Sequence, residues 1–277
     1  MKKIKIAENF YFSNNSEIKF ILGPCQIESK QHAFDICYEI ERLSKKFKFK
    51  YIYKSSFDKA NRTNHKSKRG IGIKKGLDIL SQIREKFKCP VISDVHESYQ
   101  CKIAKEALDV IQIPAFLCRQ TDILLEAGKT KLPINIKKGQ FLSPWDISNV
   151  IQKVVSTGNK KLLLTERGTM FGYNNLVSDM RSLPIMKKTG YPVIFDATHS
   201  VQLPGLKGNS SGGQSEFVSV LSKAAVTTGI SGIFIETHDN PKKAPSDGSN
   251  MVSLKELDKL IHSIILYDNL SKNEILN

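Results

Sequence analysis

Eight short apolar runs, each followed by a longer amphipathic stretch, set the narrowest limit on what this chain can fold into. The runs are IKFIL (18 to 22), KYIYK (50 to 54), PVISD (90 to 94), DVIQI (109 to 113), PINIK (133 to 137), KLLLT (161 to 165), PVIFD (192 to 196) and GIFIE (232 to 236). Their length and β-branched content read as strands, and their strict alternation with helix-length segments reads as βα units around a parallel sheet. The predicted helices cover 30 to 47, 73 to 87, 98 to 107, 120 to 129, 145 to 156, 176 to 188, 213 to 228 and 253 to 268. In the first, Ala33, Ile36, Cys37, Ile40 and Leu43 fall on one face of a helix. Eight such units in about 250 residues match a (β/α)₈ barrel, an α/β TIM barrel, whereas doubly wound open sheets usually stop at about five to seven strands. No repeat, linker or low-complexity segment breaks the alternation, so residues 1–277 read as a single barrel domain. Residues 1–17 are an N-terminal extension that can cover one barrel end as a hairpin, and the tail SKNEILN reads as frayed.

The remaining classes fall to composition. Hydrophobic residues make up 40% and charged residues 25% of the chain, which is ordinary for a globular protein and excludes disorder. No run approaches the roughly 18 apolar residues of a membrane span, and MKKIKIAENFYF carries charge where a signal peptide needs apolar residues. The expectation is a cytoplasmic protein with no membrane partner. Cys25, Cys37, Cys89, Cys101 and Cys118 are odd in number and form no Cys-x-x-Cys pair, so each cysteine acts singly. The net charge of +15 fits a nucleic-acid binder, an enzyme of anionic substrates, or a lysine-rich surface without a role. Lysines such as Lys45, Lys46, Lys48 and Lys50 are scattered and build no basic stripe, which disfavours nucleic acid.

In a barrel of this kind, chemistry sits where the strands end. The eight runs lead into Cys25, Lys54-Ser55-Ser56, Asp94-Val95-His96, Gln112, Lys137-Lys138, Glu166-Arg167, Asp196-Ala197-Thr198-His199 and Glu236-Thr237-His238. One polar strand end is ordinary solvent exposure; eight together point to a site. Lys54, Lys59, Arg62, Lys137 and Arg167 form a cation set suited to a multiply anionic substrate. Gly70, Gly72 and Gly76 do not make a Gly-x-Gly-x-x-Gly loop, so side chains must hold the anions. Cys25, His199, Glu236 and Asp247 offer a thiolate, an imidazole and two carboxylates to one divalent metal, given that strands 1 and 8 meet on closure. A Cys25 nucleophile activated by His199 is a second reading of part of this set. Asp94 and His96 can act as an acid/base or orienting pair. PGLKGNSSGGQ (204 to 214) reads either as a loop closing over the site or as a plain connection, and Trp145 reads as a packing residue.

The segments GPCQIES (23 to 29), KSSFDKANR (54 to 62), SDVHE (93 to 97), IQIPAFLCRQTDILL (111 to 125), NIKKGQFLSPWD (135 to 146), LTERGTMFGYNNLVSDMRSLPIM (164 to 186), FDATHSVQLPG (195 to 205) and FIETHDNP (234 to 241) carry a resemblance across nearly the whole chain. In this order and spacing they resemble the 3-deoxy-D-manno-octulosonate 8-phosphate synthases. That family condenses phosphoenolpyruvate with D-arabinose 5-phosphate and water, releasing phosphate, on the route to lipopolysaccharide. The resemblance implies a (β/α)₈ homotetramer in which Lys54, Ser56, Lys59, Gln112, Lys137, Gln140 and Arg167 hold phosphoenolpyruvate. It implies that Asn61, Arg62 and Thr63 hold the arabinose phosphate, with Arg119 reaching in from a neighbouring subunit. Cys25, Lys59, Asp94 and His199 are implied nearest the reacting atoms. Because the first motif carries Cys25, the resemblance implies the metal-dependent class, with Cys25, His199, Glu236 and Asp247 as ligands to iron, zinc or manganese.

Two alternatives are set against this reading. The 3-deoxy-D-arabino-heptulosonate 7-phosphate synthases are similar but typically carry Lys-Pro-Arg-Thr where this chain has Lys59-Ala60-Asn61-Arg62. A non-catalytic basic RNA-binding protein would account for the charge and leave the eight polar strand ends without a purpose.

Overall fold

The computed structural model describes residues 1–204 and 212–275. The eight apolar runs form β1 (Lys19–Gly23), β2 (Tyr51–Lys54), β3 (Val91–Asp94), β4 (Val110–Ile113), β5 (Ile134–Lys137), β6 (Leu162–Glu166), β7 (Val193–Asp196) and β8 (Gly232–His238). Consecutive strands pair in parallel, and β7 also pairs with β8, so the sheet closes into a (β/α)₈ TIM barrel. The closing registers set Asp196 opposite Phe234 and Glu236 opposite Gly23. Every strand residue is buried except Asp94, because each strand has side chains inside the barrel and helices outside it. Uniform burial also explains why the runs read as continuous rather than alternating apolar sequence.

The outer ring is α1 (Lys30–Phe47), α2 (Ile73–Phe87), α3 (Ser98–Ala104), α4 (Thr121–Lys129), α5 (Ile147–Val155), α6 (Ser182–Lys187), α7 (Val218–Val226) and α8 (Leu254–Ile275). In α1, Ser29 caps the first turn by accepting from the His32 N–H, and Ala33, Ile36, Cys37, Ile40 and Leu43 are the buried face. No helix among the described residues is long and apolar enough to cross a membrane.

At the N-terminal end of the barrel, Ile4–Ala7 and Phe10–Phe12 pair as an antiparallel hairpin. Phe12 is fully buried against the start of β8, where a Cβ on Gly232 would come within 2.6 Å of its ring. Asn14 clamps this end to β7 by donating to the Tyr191 carbonyl and accepting from the Val193 N–H, both at 2.9 Å.

Several boundaries differ from expectation. The segment 176 to 188 is helical only from Ser182, because Leu176–Val177 turn back at Asn174, which adopts a left-handed φ of 54°, and pair with Thr169–Met170. Likewise 213 to 228 is α-helical only from Val218, since Gly212–Gly213 pair with Gln202–Leu203. The tail is not frayed through residue 275. Ser271 donates to the Thr227 carbonyl at 2.9 Å, and Lys272 reaches the Ser16 and Ile230 carbonyls, which docks the end of α8 under the barrel. Trp145 is 68% exposed rather than packed, because it precedes Ile147, the first buried residue of α5. Residues 205–211 of the glycine- and serine-rich stretch lie outside the described residues.

Candidate active site

The C-terminal ends of the strands surround a cavity of about 270 Å³ lined by Cys25, Lys54, Ser56, Lys59, Asn61, Asp94, His96, Gln112, Lys137, Gln140, Arg167, His199 and Glu236, among others. A second cavity of about 470 Å³ adjoins it through Lys59, Asn61 and Gln202, and adds Arg62, Thr63 and Asp247. The residues expected in this chain's own site therefore converge. Arg119 is exposed beyond the 3₁₀ turn that follows β4 and lines neither cavity.

Two strand ends approach closely to build the β8–β1–β2 side. A Cβ at Gly23 would lie 1.9 Å from the Lys54 carbonyl oxygen, so only glycine lets β1 reach this close and deliver Cys25 to the rim. Lys54 donates to Glu236 Oε1 and to the Cys25 carbonyl, both at 2.8 Å. Lys59 donates to Cys25 Sγ at 3.1 Å and pairs with Asp247, and the Cys25 thiol itself donates to Asp247 Oδ2 at 3.2 Å. Asp247 holds a left-handed φ of 54°, which Asp tolerates better than most residues, and its side chain is only 6% exposed. Its loop is thus turned inward.

His199 completes the group. Its Nδ1 hydrogen-bonds Asp196 Oδ2 at 2.8 Å, which aims Nε2 at Glu236 Oε2 (3.7 Å) and Asp247 Oδ2 (3.8 Å). An imidazole oriented by a carboxylate on its far nitrogen is the usual setting of a metal-binding histidine. Ligand atoms of Cys25, Glu236 and Asp247 all lie within 4.8 Å of one another, and Glu236 Oε2 is buried with no hydrogen-bond partner among the described residues. Thiol, imidazole and two carboxylates with an unsatisfied buried oxygen fit a divalent transition metal. The described hydrogen-bond contacts of the Cys25 thiol are Lys59 and Asp247, with none to His199. Burial, with Glu236 adding to it, pushes the thiol pKa up to about 12. Burial works against the Lys59 ammonium, but Asp247 and Cys25 outweigh it and hold its pKa well above the usual lysine value.

The opposite side of the mouth is a directed hydrogen-bond chain. Thr165 donates to Asn135 Oδ1 (2.7 Å), Asn135 Nδ2 to Gln112 Oε1 (2.8 Å), and Gln112 Nε2 to Asp94 Oδ1 (2.9 Å), while Ser56 donates to Asp94 Oδ2. Each donor fixes the amide that follows it, so Gln112 can meet Asp94 only through its NH₂ group. Burial raises the Asp94 pKa, but Lys54, His96 and these hydrogen bonds outweigh it and hold it at about 2. His96 makes no side-chain hydrogen bond to Asp94; its buried Nδ1 has no partner, and burial lowers its pKa.

Anion-binding capacity lies between these sides. Lys137 pairs with Asp196. Arg167 spends one nitrogen on Gln202 Oε1 at 2.8 Å, while its Nε and Nη1 and the Gln140 Oε1 are buried without partners among the described residues. Buried polar groups are ordinarily hydrogen-bonded, so free guanidinium donors in a cavity point to an anionic ligand. Fully buried Lys138 spans the Leu142 carbonyl at 2.8 Å and Glu166 at 3.5 Å, supporting the loop that carries Gln140.

Sequence reading did not pick out Asn135, Thr165 or Gln202. For Asn135 a signal was present, since a lone amide in the otherwise apolar PINI needs a partner. Gln202, which also donates to Asp247 Oδ1 at 3.1 Å, carried no such mark.

The sequence model of the DAHP synthetase I family matches residues 2–271 of this chain. A curated relative from Bartonella tribocorum, named 2-dehydro-3-deoxyphosphooctonate aldolase, is 53% identical over 98% of this chain and 97% of its own. Relatives of the same name from Rhodopseudomonas palustris and Brucella anthropi are 55% and 52% identical, covering 96% and 97% of this chain and 93% and 97% of theirs.

Proposed function

The chain belongs to the DAHP synthetase I family, and we propose that it is a 2-dehydro-3-deoxyphosphooctonate aldolase acting as a 3-deoxy-8-phosphooctulonate synthase. It joins phosphoenolpyruvate, D-arabinose 5-phosphate and water into 3-deoxy-D-manno-octulosonate 8-phosphate and phosphate, in lipopolysaccharide biosynthesis. The observation that carries this reading is that relatives of that name are 52–55% identical over nearly their whole length. Resemblance to the heptulosonate synthases extends only to the family as a whole, and Lys59-Ala60-Asn61-Arg62 departs from their motif.

In the reaction, carbon 3 of the enol phosphate attacks the aldehyde carbon, and water adds at carbon 2 before phosphate leaves. Arg167, Lys137 and Gln140 hold the enol phosphate, with the free guanidinium edge of Arg167 meeting phosphate oxygens. Lys54, Ser56, Lys59 and Gln112 complete that site. Asn61, Arg62 and Thr63, in the adjoining cavity, hold the sugar phosphate. Asp94, kept ionised by the Lys54 charge and by the Ser56 and Gln112 hydrogen bonds, faces the reacting carbons as a hydrogen-bond acceptor. Negative charge develops at the former aldehyde oxygen and the phosphate, where the fixed Lys59, Lys137 and Arg167 charges stabilise it.

Cys25, His199, Glu236 and Asp247 would hold a divalent ion of iron, zinc or manganese type, which when bound supplies Lewis-acid polarisation of the sugar's aldehyde. Soluble phosphate esters as substrates agree with a cytoplasmic location, and two phosphorylated substrates account for the buried cation set without a nucleic acid or a membrane. Exposed Phe116, Phe141, Trp145, Phe171 and Tyr173 follow β4, β5 and β6 and favour a homotetramer in which Arg119 reaches a neighbouring site.

Phosphate release from phosphoenolpyruvate tests the reaction. It should be fast with arabinose 5-phosphate, slow with erythrose 4-phosphate, lost on chelation and in Cys25→Ser, and restored to the native chain by metal. Activity indifferent to chelation would remove the metal; preference for the tetrose would replace the substrate. Light scattering at micromolar protein reads the subunit number, for which the expected value is four.

A further inference from the structure

Beyond the reaction, we propose a second divalent-metal site on the outer rim of the barrel, formed by Glu28, His32 and His238 with Asp239 behind it. Ligand atoms of Glu28, His32 and His238 lie within 4.8 Å of one another, and none of these residues lines either cavity described above. Barrel closure brings them together. Glu28 and His32 flank the start of α1, His238 ends β8, and β8 pairs with β1.

The arrangement of the two imidazoles carries the argument. Each has one nitrogen toward Glu28 Oε1, His238 Nε2 at 2.6 Å and His32 Nδ1 at 3.9 Å. Each has its other nitrogen near Asp239 Oδ1, His238 Nδ1 at 2.9 Å and His32 Nε2 at 3.1 Å, and His238 Nδ1 also accepts from the Asn240 N–H at 2.9 Å. The rings lie side by side with centroids 4.7 Å apart. Asp239 therefore holds the His32 ring from behind by a hydrogen bond and lies against the far nitrogen of His238, while Glu28 stands in front, as in the setting of metal-ligating histidines. His32 Nδ1, on the front side, is buried and has no hydrogen-bond partner among the described residues. Hydrogen bonding alone would leave that nitrogen unused. A metal between Glu28 Oε1, His32 Nδ1 and His238 Nε2 uses it.

Two neutral imidazoles and one carboxylate suit a zinc-class divalent ion, including cobalt and iron(II), with remaining positions open to water. On binding, solvent carries the single His238 ring hydrogen from Nε2 to Nδ1; the Asn240 N–H, which donates to Nδ1 at 2.9 Å without the ion, turns away and the Nδ1–H faces Asp239. Ligand atoms in a tetrahedral zinc site stand about 3.3 Å apart, so the Glu28–His238 contact opens and the Glu28–His32 contact closes, each by less than about 1 Å. The exposed Glu28 side chain can move that far. Such an ion would pin the β1–α1 connection to the end of β8, tying together the segments that present Cys25 and Glu236.

Equilibrium dialysis of the stripped, full-length protein against micromolar cobalt(II) tests the site. The native chain should bind one equivalent more than His32→Gln, and this extra equivalent should persist in Cys25→Ser, which lacks the near-ultraviolet thiolate–cobalt band of the catalytic cluster. Asp239→Asn should retain the extra equivalent but weaken it about tenfold or more. His32→Gln, which leaves the catalytic residues in place, should keep its thiolate–cobalt band. Equal cobalt in the native chain and His32→Gln would overturn the proposal, as would an extra equivalent insensitive to Asp239→Asn.

Discussion

The two ends of the barrel solve opposite problems. At the N-terminal end, Phe12, Ile4 and Phe10 close the barrel with apolar surface, and the few polar groups, such as Asn14, are paired with backbone. At the C-terminal end, Lys54, Lys137, Arg167, Glu236 and Asp196 are all buried, and atoms of Arg167 and Glu236 lack partners among the described residues. Burying charge is costly unless it is paired, so the mouth is stable only as a network and keeps its unpaired donors for a ligand. The comparison teaches that one end supplies stability from which the other end's unsatisfied polar groups are tolerated.

Four substitutions would break or sharpen that contrast. Phe12→Ala should cost about 3–5 kcal/mol of unfolding free energy, read by denaturant titration, while kcat/KM at low temperature stays within about twofold. Arg167→Ala should do the reverse, lowering kcat/KM for phosphate release by about 10²–10³-fold with a much smaller stability change. Asp94→Asn concerns pH. A carboxyl depressed to about 2 contributes stability above its unfolded value near 4, and that contribution is lost as pH falls through the folded value. The native chain should thus lose about 2 kcal/mol more than Asp94→Asn between about pH 5 and pH 2, measured by urea unfolding at each pH. Asn135→Leu should have the smallest effect, about tenfold in kcat/KM and about 1–2 kcal/mol in stability. It strands Gln112 Oε1 and the Thr165 hydroxyl, and frees the Gln112 amide to turn its oxygen toward Asp94. An Asn135→Leu enzyme with native kcat/KM would reduce the chain from Thr165 to Asp94 to a structural feature.

Legibility in sequence followed periodicity and range. The eight strands and α1 were readable almost to the residue, because the apolar pattern that defines them is the same pattern that buries them. The helix predicted from 176 failed at a local turn, and the docked tail was hidden because Ser271 and Lys272 find their partners across the barrel rather than along the chain. In the site, strand-end position found Lys54, Asp94, Lys137, Arg167, His199 and Glu236. It could not find Gln202, whose importance comes only from lying between Arg167 and Asp247.

By itself, then, the sequence determined the number of βα units, the end at which chemistry collects, and the residue types available there. Those properties are local and additive along the chain. Tertiary structure alone decided which atoms meet: that Asp247 turns inward onto the Cys25 thiol, that Asn135 sets the direction of Gln112, and that Glu28, His32 and His238 converge at the closing seam. The first and last of these depend on ring closure, which sets residues more than two hundred positions apart within hydrogen-bonding distance, and the second on the register of neighbouring strands; no pattern along one strand or helix encodes them.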